Sequence, residues 1–263
     1  MPSLESLPPE LLCSILSHAE PFNPTIKQYT VNFKTCKHNL ESIITHPLYN
    51  LAATSKHLKD TVEEYARILL KKHAKFHGPK KSNKFIYRKK WLKWLDATCQ
   101  LCHKKSVRKA IFDNIMTCCA TCDKKEWPKM TMTDASHKHN LSRLDLFTPN
   151  ILHPDLPKLS VALYCCMGTN ATMLLEREVL ERKRYIHDLL GDHAKNTAFM
   201  QSRRNRHLRI IKHMDVTIHR GKWIRQSHTL SAEKKESKSM SSAEERRRFT
   251  EKMVEQERMY MQG

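Results

Sequence analysis

The sequence is poor in glycine, aromatic residues and long apolar runs, and each shortage excludes a class of protein. Five glycines and 7% aromatic residues among 263 argue against a glycine-rich nucleotide-binding fold and against a large β-sandwich. No apolar run reaches the length that a membrane-spanning helix needs. The first residues show no basic and then apolar signal region, because Pro8 and Pro9 interrupt them. We therefore expect a nuclear or cytoplasmic protein with no membrane partner.

Motifs that carry catalysis are also missing. The sequence contains no Gly-x-x-x-x-Gly-Lys phosphate loop, no Gly-x-Ser-x-Gly nucleophile motif and no His-Glu-x-x-His metalloprotease motif. Its length suits one domain with appendages or two small domains. We expect that this chain is not an enzyme.

Positive charge is the strongest compositional bias of the chain. There are 47 Lys or Arg against 27 Asp or Glu, a net charge of +20. Residues 1–70 hold 6 basic and 7 acidic residues, whereas residues 71–263 hold 41 and 20. A boundary near residue 70 therefore separates a neutral module from a basic one. Such a surplus attracts phosphate polymers or an acidic protein partner; the alternative is that it only keeps the chain in solution.

Two helical patterns fill the neutral module. The first begins near Ser6, a residue type that caps helices, and its leucines and isoleucine recur on one helical face. The second begins at Pro47 and keeps a helical period to Leu69, with a possible break near Ser55.

These two patterns resemble the F-box, a small helical module that docks onto a Skp-type adaptor in cullin-based ubiquitin ligases. The resemblance rests on Leu-Pro-Pro-Glu-Leu-Leu-x-x-Ile-Leu at residues 7–16, on Leu-Ala-Ala-Thr-Ser-Lys-x-Leu at residues 51–58 and on a helix with Val-Glu-x-Tyr at residues 62–65. It implies that the adaptor groove receives six residues: Leu7, Pro8, Leu11, Leu12, Ile15 and Leu16. The insertion between Pro21 and Pro47 departs from the family; it is either a modified second helix or a loop that interferes with docking. The alternative to an F-box is a helical hairpin whose leucines form only an internal core.

A basic connector follows at residues 71–96. Residues 71–93 hold ten Lys or Arg and no acid, with aromatic residues between them. Such a segment can grip a nucleic-acid backbone and stack on bases. We favour a second interpretation, in which the lysines stay in water. In that case a helix packs on the neighbouring module through its apolar residues Phe85, Trp91, Leu92, Trp94 and Leu95.

Four cysteines form two pairs, Cys99-x-x-Cys102 and Cys119-x-x-Cys122, separated by sixteen residues. Each Cys-x-x-Cys turn directs two thiolates at one metal, so this spacing predicts a Zn²⁺ site. Four thiolates leave no open coordination position, and the predicted site is therefore structural rather than catalytic. Cys118 is the alternative third ligand.

The segment after the cysteines resembles the zinc-finger and helix core of the xeroderma pigmentosum group A DNA-repair protein. The resemblance rests on Trp-Pro-Lys-Met-Thr-Met-Thr-Asp-Ala at residues 127–135 and on a leucine-acid-leucine motif at residues 141–146. It implies a zinc module followed by a helix that Thr133 would cap. Met132 and His139 stand where that family has a lysine and an aromatic residue, so no DNA-contacting residue is transferred to this chain.

The last third combines a strand, a helix and a basic tail. Alternating apolar residues from Leu159 to Leu163 predict a short strand, and residues 172–190 predict a helix that Gly191 ends. Residues 246–261 are polar almost all round, which predicts a marginal solvent-exposed helix or disorder.

A strip of arginines lies in this last third. Arg203, Arg204, Arg206 and Arg209 are candidate phosphate contacts, because arginine suits bidentate phosphate binding. An acidic partner or a nuclear import receptor could also bind the strip. A solvated helix face is the interpretation that we favour.

These observations predict a mainly α (α+β) fold. Its four segments are an F-box-like helical module (1–70), a basic connecting helix (71–96), a zinc-binding module with a following helix (97–190) and a basic, partly disordered helical tail (191–263). We expect a substrate-receptor subunit of a Skp-cullin-F-box type ubiquitin ligase. Its partners would be the adaptor, the cullin ligase and a protein substrate, with at most weak non-specific nucleic-acid binding. The alternative is a nucleic-acid-binding zinc protein related to a DNA-repair scaffold.

Overall fold

The computed structural model describes residues 4–19, 46–78, 85–113, 116–166, 169–226 and 238–261. The chain divides into two compact units, Met1–Glu126 and Trp127–Gly263. The fold is mainly helical with small sheets, which confirms the predicted class at that level. Residues 20–45, which hold most of the insertion expected between Pro21 and Pro47, lie outside the described residues. Within the described ranges, no helix combines the length and the hydrophobicity that crossing a bilayer requires.

The first unit is helical. Its described α-helices are α1 Pro9–Ala19, α2 Pro47–Ala52, α3 Lys56–Ala74, α4 Tyr87–Ala97 and α5 Ala120–Glu126. The break predicted near Ser55 is confirmed, because Ser55 is the N-cap of α3 and its Oγ accepts a hydrogen bond from the Leu58 N–H at 3.2 Å. Pro9 and Pro47 each begin a helix, where proline is tolerated since its missing N–H would have had no helical partner.

The core of the first unit joins the F-box-like helices to the basic connector. Leu16 of α1, Val62 of α3 and Trp91 of α4 belong to one buried cluster. Leu92 and Leu95 are buried in the same cluster, and the lysines of α4 are exposed. The packing interpretation of the connector is therefore confirmed for α4.

The second unit combines small sheets with helices. Its described elements are β1 Lys129–Thr131, α6 Met132–His139, α7 Arg143–Leu146, β2 Val161–Cys166, β3 Thr169–Leu175, α8 Glu176–Leu190, α9 Thr197–His213, β4 Val216–His219, β5 Lys222–Arg225 and α10 Ala243–Tyr260. One antiparallel sheet has the order β1-β3-β2, and β4 and β5 form a separate hairpin.

Residues 172–175 correct the sequence prediction, because they continue strand β3 instead of beginning a helix. Thr172 lies opposite Leu163 of β2, while β1 pairs with the other edge of β3. Leu174 and Leu175, whose spacing suggested a helix, are buried. Helix α8 therefore starts only at Glu176; it ends at Leu190, before Gly191 as predicted.

Helix α6 also begins differently from the expectation. Its N-cap is Thr131 rather than Thr133, and the Thr131 Oγ1 accepts a hydrogen bond from the Asp134 N–H at 3.0 Å. Thr133 lies inside the first turn of the helix. The sequence offers threonine at both positions, and the end of strand β1 at Thr131 decides between them.

The C-terminal helix is packed, which corrects the expectation of a solvent-exposed helix or disorder for residues 246–261. Helix α10 packs against α9 and buries Thr250, Val254 and Glu257. These residues are spaced by four and three positions and so share one helical face. Because one of the three is a carboxylate, this buried face does not look apolar in the sequence.

Candidate metal centre

The first cysteine pair lies on a tight turn directly after α4. The Cys99 N–H donates to the Lys104 carbonyl and the His103 N–H donates to the Cys99 carbonyl, both at 2.8 Å. An isolated antiparallel bridge between Thr98 and Lys105 closes the turn. His103 takes a left-handed conformation with φ 60°, which reverses the chain after Cys102.

The second cysteine pair is brought to the first by the chain that doubles back between them. The Gln100 N–H donates to the Thr117 carbonyl at 2.9 Å, and the Cys118 N–H donates to the Arg108 carbonyl at 2.8 Å. Helix α5 begins at Ala120, so Cys119 directly precedes the helix and Cys122 lies in its first turn. An ion pair of 2.8 Å between Arg108 and the buried Asp123 supports this helix from the preceding loop.

The four cysteines predicted as ligands form one cluster. The sulfur atoms of Cys99, Cys102, Cys119 and Cys122 all lie within 4.8 Å of one another, and the Cys102 and Cys119 sulfurs are 3.7 Å apart. A tetrahedral metal with sulfur ligands at about 2.3 Å holds those sulfurs about 3.8 Å apart. The cluster therefore has the size of a four-thiolate site and could hold a metal ion. Cys99 is buried and Cys102 is exposed, so the site lies at the surface of the unit.

Backbone amides prepare Cys99 to act as a thiolate. Burial raises its pKa, but hydrogen bonds from the backbone of Cys119, Cys102 and Leu101 outweigh burial and lower the pKa of Cys99 to about 6. A thiolate, and not a thiol, is the form that binds a metal. At neutral pH this ligand is therefore ready to coordinate.

Cys118 lies outside the four-cysteine cluster, although its neighbour Cys119 belongs to it. The Cys118 side chain is fully buried and its Sγ donates to the Cys119 carbonyl at 3.5 Å. Burial, together with the charge of Cys99, raises the pKa of Cys118 to about 12. The structure thus separates the two adjacent cysteines by chemistry as well as by position.

The six residues that the F-box resemblance assigned to adaptor binding split between core and surface. Leu12 and Leu16 are 2% and 3% exposed, whereas Leu11 and Ile15 are 52% and 45% exposed. Pro8 is also exposed, and Leu7 is half-buried. The apolar residues of α1 therefore form two stripes. One stripe, Leu12 and Leu16, is buried within the unit, and the other, Leu11 and Ile15, is exposed; we call the second the open stripe.

The four arginines predicted as phosphate contacts also separate. Arg203 is 1% exposed, which corrects its assignment both as a phosphate contact and as part of a solvated face. Arg204 donates to the Ser136 carbonyl at 2.7 Å, and Arg206 donates to Glu257 at 2.7 Å. Arg209 is exposed. The strip does not present four free guanidinium groups.

A buried charge network explains the position of Arg203, and sequence reasoning missed it. The Arg203 guanidinium donates to both carboxylate oxygens of Asp145 at 2.8 and 2.9 Å, and to Glu257 at 3.0 Å. His207 Nε2 lies 3.1 Å from Glu257, and its Nδ1 lies 2.6 Å from the Ser142 hydroxyl. Burial raises the pKa of Asp145, but Arg203 outweighs it and holds that pKa well below its usual range. The acid of the leucine-acid-leucine motif was the only sequence signal for this network.

Comparisons with protein-family models, with curated proteins and with solved structures find no significant match to this chain. The two family resemblances are therefore carried by the residues of the chain alone.

Proposed function

We propose that this chain is a substrate-receptor subunit of a Skp-cullin-F-box type ubiquitin ligase. The supporting observation is the open stripe of α1, in which Leu11 and Ile15 are exposed four residues apart. Exposed apolar residues at this spacing are the anchors by which a helix enters a hydrophobic groove. The chain supplies proximity between the ligase and its target, and the catalytic groups belong to the partner proteins.

Leu12 and Leu16 have a different role in this proposal. Leu16 is buried in one cluster with Val62 of α3, and Leu12 is also buried, so in this proposal both position the anchors instead of entering the groove. Pro8, which is exposed, extends the adaptor surface toward the start of α1.

The proposed metal is Zn²⁺, held by Cys99, Cys102, Cys119 and Cys122. Zinc accepts four thiolates in tetrahedral geometry, and such sites are closed. In this role the ion would stabilise the turns that follow α4 in the same unit as the adaptor helix. The target would bind elsewhere on the basic surface.

Adaptor binding tests the proposal directly. The double variant Leu11→Ala, Ile15→Ala should weaken binding to a Skp-type adaptor about a hundredfold or more, since each truncated central anchor costs about 2 kcal/mol. Isothermal titration with the full zinc-loaded chain measures this change. Ile68→Ala is the matched control, because Ile68 is 44% exposed on α3 and is not among the six residues assigned to adaptor binding.

Leu12→Ala separates binding from folding. Since Leu12 is 2% exposed, this variant should lower the stability of the first unit by about 2–5 kcal/mol. Leu11→Ala should leave that stability nearly unchanged. If the wild-type chain binds no adaptor at micromolar concentration, the receptor proposal is wrong. The second candidate, a nucleic-acid-binding zinc protein, would then take its place.

A further inference from the structure

Five exposed lysines of the first unit are sequence neighbours of aromatic rings that lie next to the cysteine turns. We call this the lysine surface; it consists of Lys72, Lys75, Lys90, Lys93 and Lys104. It draws on three elements: the last turn of α3 and the residue after it, the exposed side of α4, and the first cysteine turn.

Ring contacts bring these three elements together. The His103 ring centroid is 5.3 Å from that of His73 on α3 and 5.7 Å from that of Trp94 on α4. Lys90 Nζ lies 5.4 Å from the centre of the Phe76 ring. Lys72 directly precedes His73 in the last turn of α3, and burial, His103 and the charge of Lys72 together lower the pKa of His73. Each of the five lysines is exposed and directly adjacent in the sequence to one of the rings of His73, Phe76, Trp91, Trp94 and His103, so all five belong to this part of the unit.

The lysine surface carries little compensating charge. Among the described residues, none of the five lysines lies within ion-pair distance of a carboxylate. Two acids on the same two helices are already engaged, since Glu63 pairs with Arg88 and Asp96 pairs with Lys109. Unpaired charges of one sign produce a field that attracts a polyanion.

The aromatic rings and the residue types favour a peptide over a nucleic acid. Trp94 stacks on Trp91 with centroids 5.0 Å apart, and Phe76 stacks on Phe85 at 5.7 Å. Ring faces that stack on one another leave little free area for nucleic-acid bases. Proteins that bind single-stranded nucleic acid need such free faces, because they stack the bases on them. The five cations are all lysines, whereas bidentate phosphate contacts use arginine.

We propose that the lysine surface binds an acidic segment of the protein that is presented for ubiquitination. This inference rests on the proposed receptor function. Carboxylates of the target pair with the lysines, and its apolar side chains contact the ring edges around His73 and Trp94.

Fluorescence anisotropy with the full zinc-loaded chain tests the surface. The probe is a short labelled peptide rich in glutamate and leucine, at about 150 mM salt, where charges interact over roughly 8 Å. The double variant Lys90→Glu, Lys93→Glu should weaken binding about tenfold or more, because it removes two exposed attractions and adds two repulsions. Lys72→Glu, Lys93→Glu should have a similar effect without touching the Lys90–Phe76 contact.

The matched control is Lys56→Glu, Lys59→Glu, which makes the same charge change at the other end of α3. Lys59 is thirteen residues from Lys72, roughly 20 Å along a helix that rises 1.5 Å per residue. This control should change peptide affinity less than about twofold, since the distance exceeds the screening length. Zinc content and circular dichroism establish that each variant is folded.

Three results would overturn the inference: equal losses of peptide affinity for the surface and control variants, equal affinity for a peptide with glutamine in place of glutamate, or tighter binding of a DNA duplex through the same lysines.

The receptor proposal and the lysine surface can be contradicted independently of each other. A chain that binds the acidic peptide through these lysines but binds no adaptor contradicts the receptor proposal alone. A chain that binds adaptor but no acidic peptide contradicts the lysine surface alone.

Discussion

Replacing Arg203 by methionine should destabilise the second unit more than any exposed substitution on α9. Arg203 is 1% exposed and makes three charge-assisted hydrogen bonds, two to Asp145 and one to Glu257. Both carboxylates are fully buried. Without the guanidinium, the Asp145 carboxylate would retain two hydrogen-bond partners, the Ser142 N–H at 2.8 Å and the His153 ring at 3.3 Å. Two partners, neither of them the arginine cation, do not compensate the burial of a charged carboxylate.

The expected loss is about 3–5 kcal/mol, the usual cost of removing one partner from a buried ion pair. Methionine is flexible and apolar and fills much of the space of the arginine stem, so a cavity adds little. Protonation of Asp145 would limit the loss, since a neutral acid is cheaper to bury than an unpaired carboxylate. A domain is stable by only about 5–15 kcal/mol, so the change is large.

Hydrogen–deuterium exchange measures this loss within one unit of the full chain. Where exchange follows unfolding of the unit, amides of α9 should exchange at least about a hundredfold faster in R203M, because each 1.4 kcal/mol is a factor of ten. The control is Arg209→Met, since Arg209 is exposed and its guanidinium lies 4.9 Å from the centre of the Phe249 ring. It should cost no more than about 1 kcal/mol. Equal exchange rates in the two variants would refute the argument that the network holds the unit together.

Three further predictions concern the metal, a turn and acid stability. Elemental analysis should find about one zinc per chain. The zinc should be lost in Cys119→Ser and kept in Cys118→Ser, because Cys119 belongs to the sulfur cluster and Cys118 does not. Gly221→Ala should lower thermal stability by about 1–3 kcal/mol, since Gly221 has φ +73° and an added Cβ would lie 3.0 Å from Val161. Burial lowers the pKa of His46 to about 4, so the folded chain keeps this ring neutral while the unfolded chain protonates it below about pH 6.5. The first unit should therefore lose up to about 3 kcal/mol between those pH values, and His46→Asn should remove this part of the loss.

Local spacing predicted those parts of the fold that local geometry determines. The Cys-x-x-Cys pairs could be predicted because a few backbone hydrogen bonds determine each turn. Only the position of one turn relative to the other depends on the rest of the unit. The helix boundary at Ser55 could be predicted for a similar reason, since an N-cap residue accepts a hydrogen bond from a residue at most three positions later.

Burial that depends on distant partners was not predictable. Glu257 lies 54 residues from Arg203 and Asp145 lies 58 residues from it, so nothing in the arginine strip showed which guanidinium would be enclosed. The helix predicted for residues 172–175 was wrong for the same reason, because these residues form a strand through pairing with β2 and β1. An apolar run without its partners fits a helix and a strand equally well.

Three arginines use their positive charge inside the fold. Arg88, Arg108 and Arg203 each pair with a carboxylate whose side chain is at most 21% exposed. The planar guanidinium is weakly hydrated and presents several donors in a fixed arrangement, which suits enclosed carboxylates, whereas the lysine ammonium is strongly hydrated. From the sequence, the arginines of the strip were candidate phosphate contacts, although a solvated helix face was the interpretation that we favoured. Arg203 is instead a cation that the fold itself uses, whereas the five lysines of the lysine surface are exposed and have no carboxylate within ion-pair distance among the described residues.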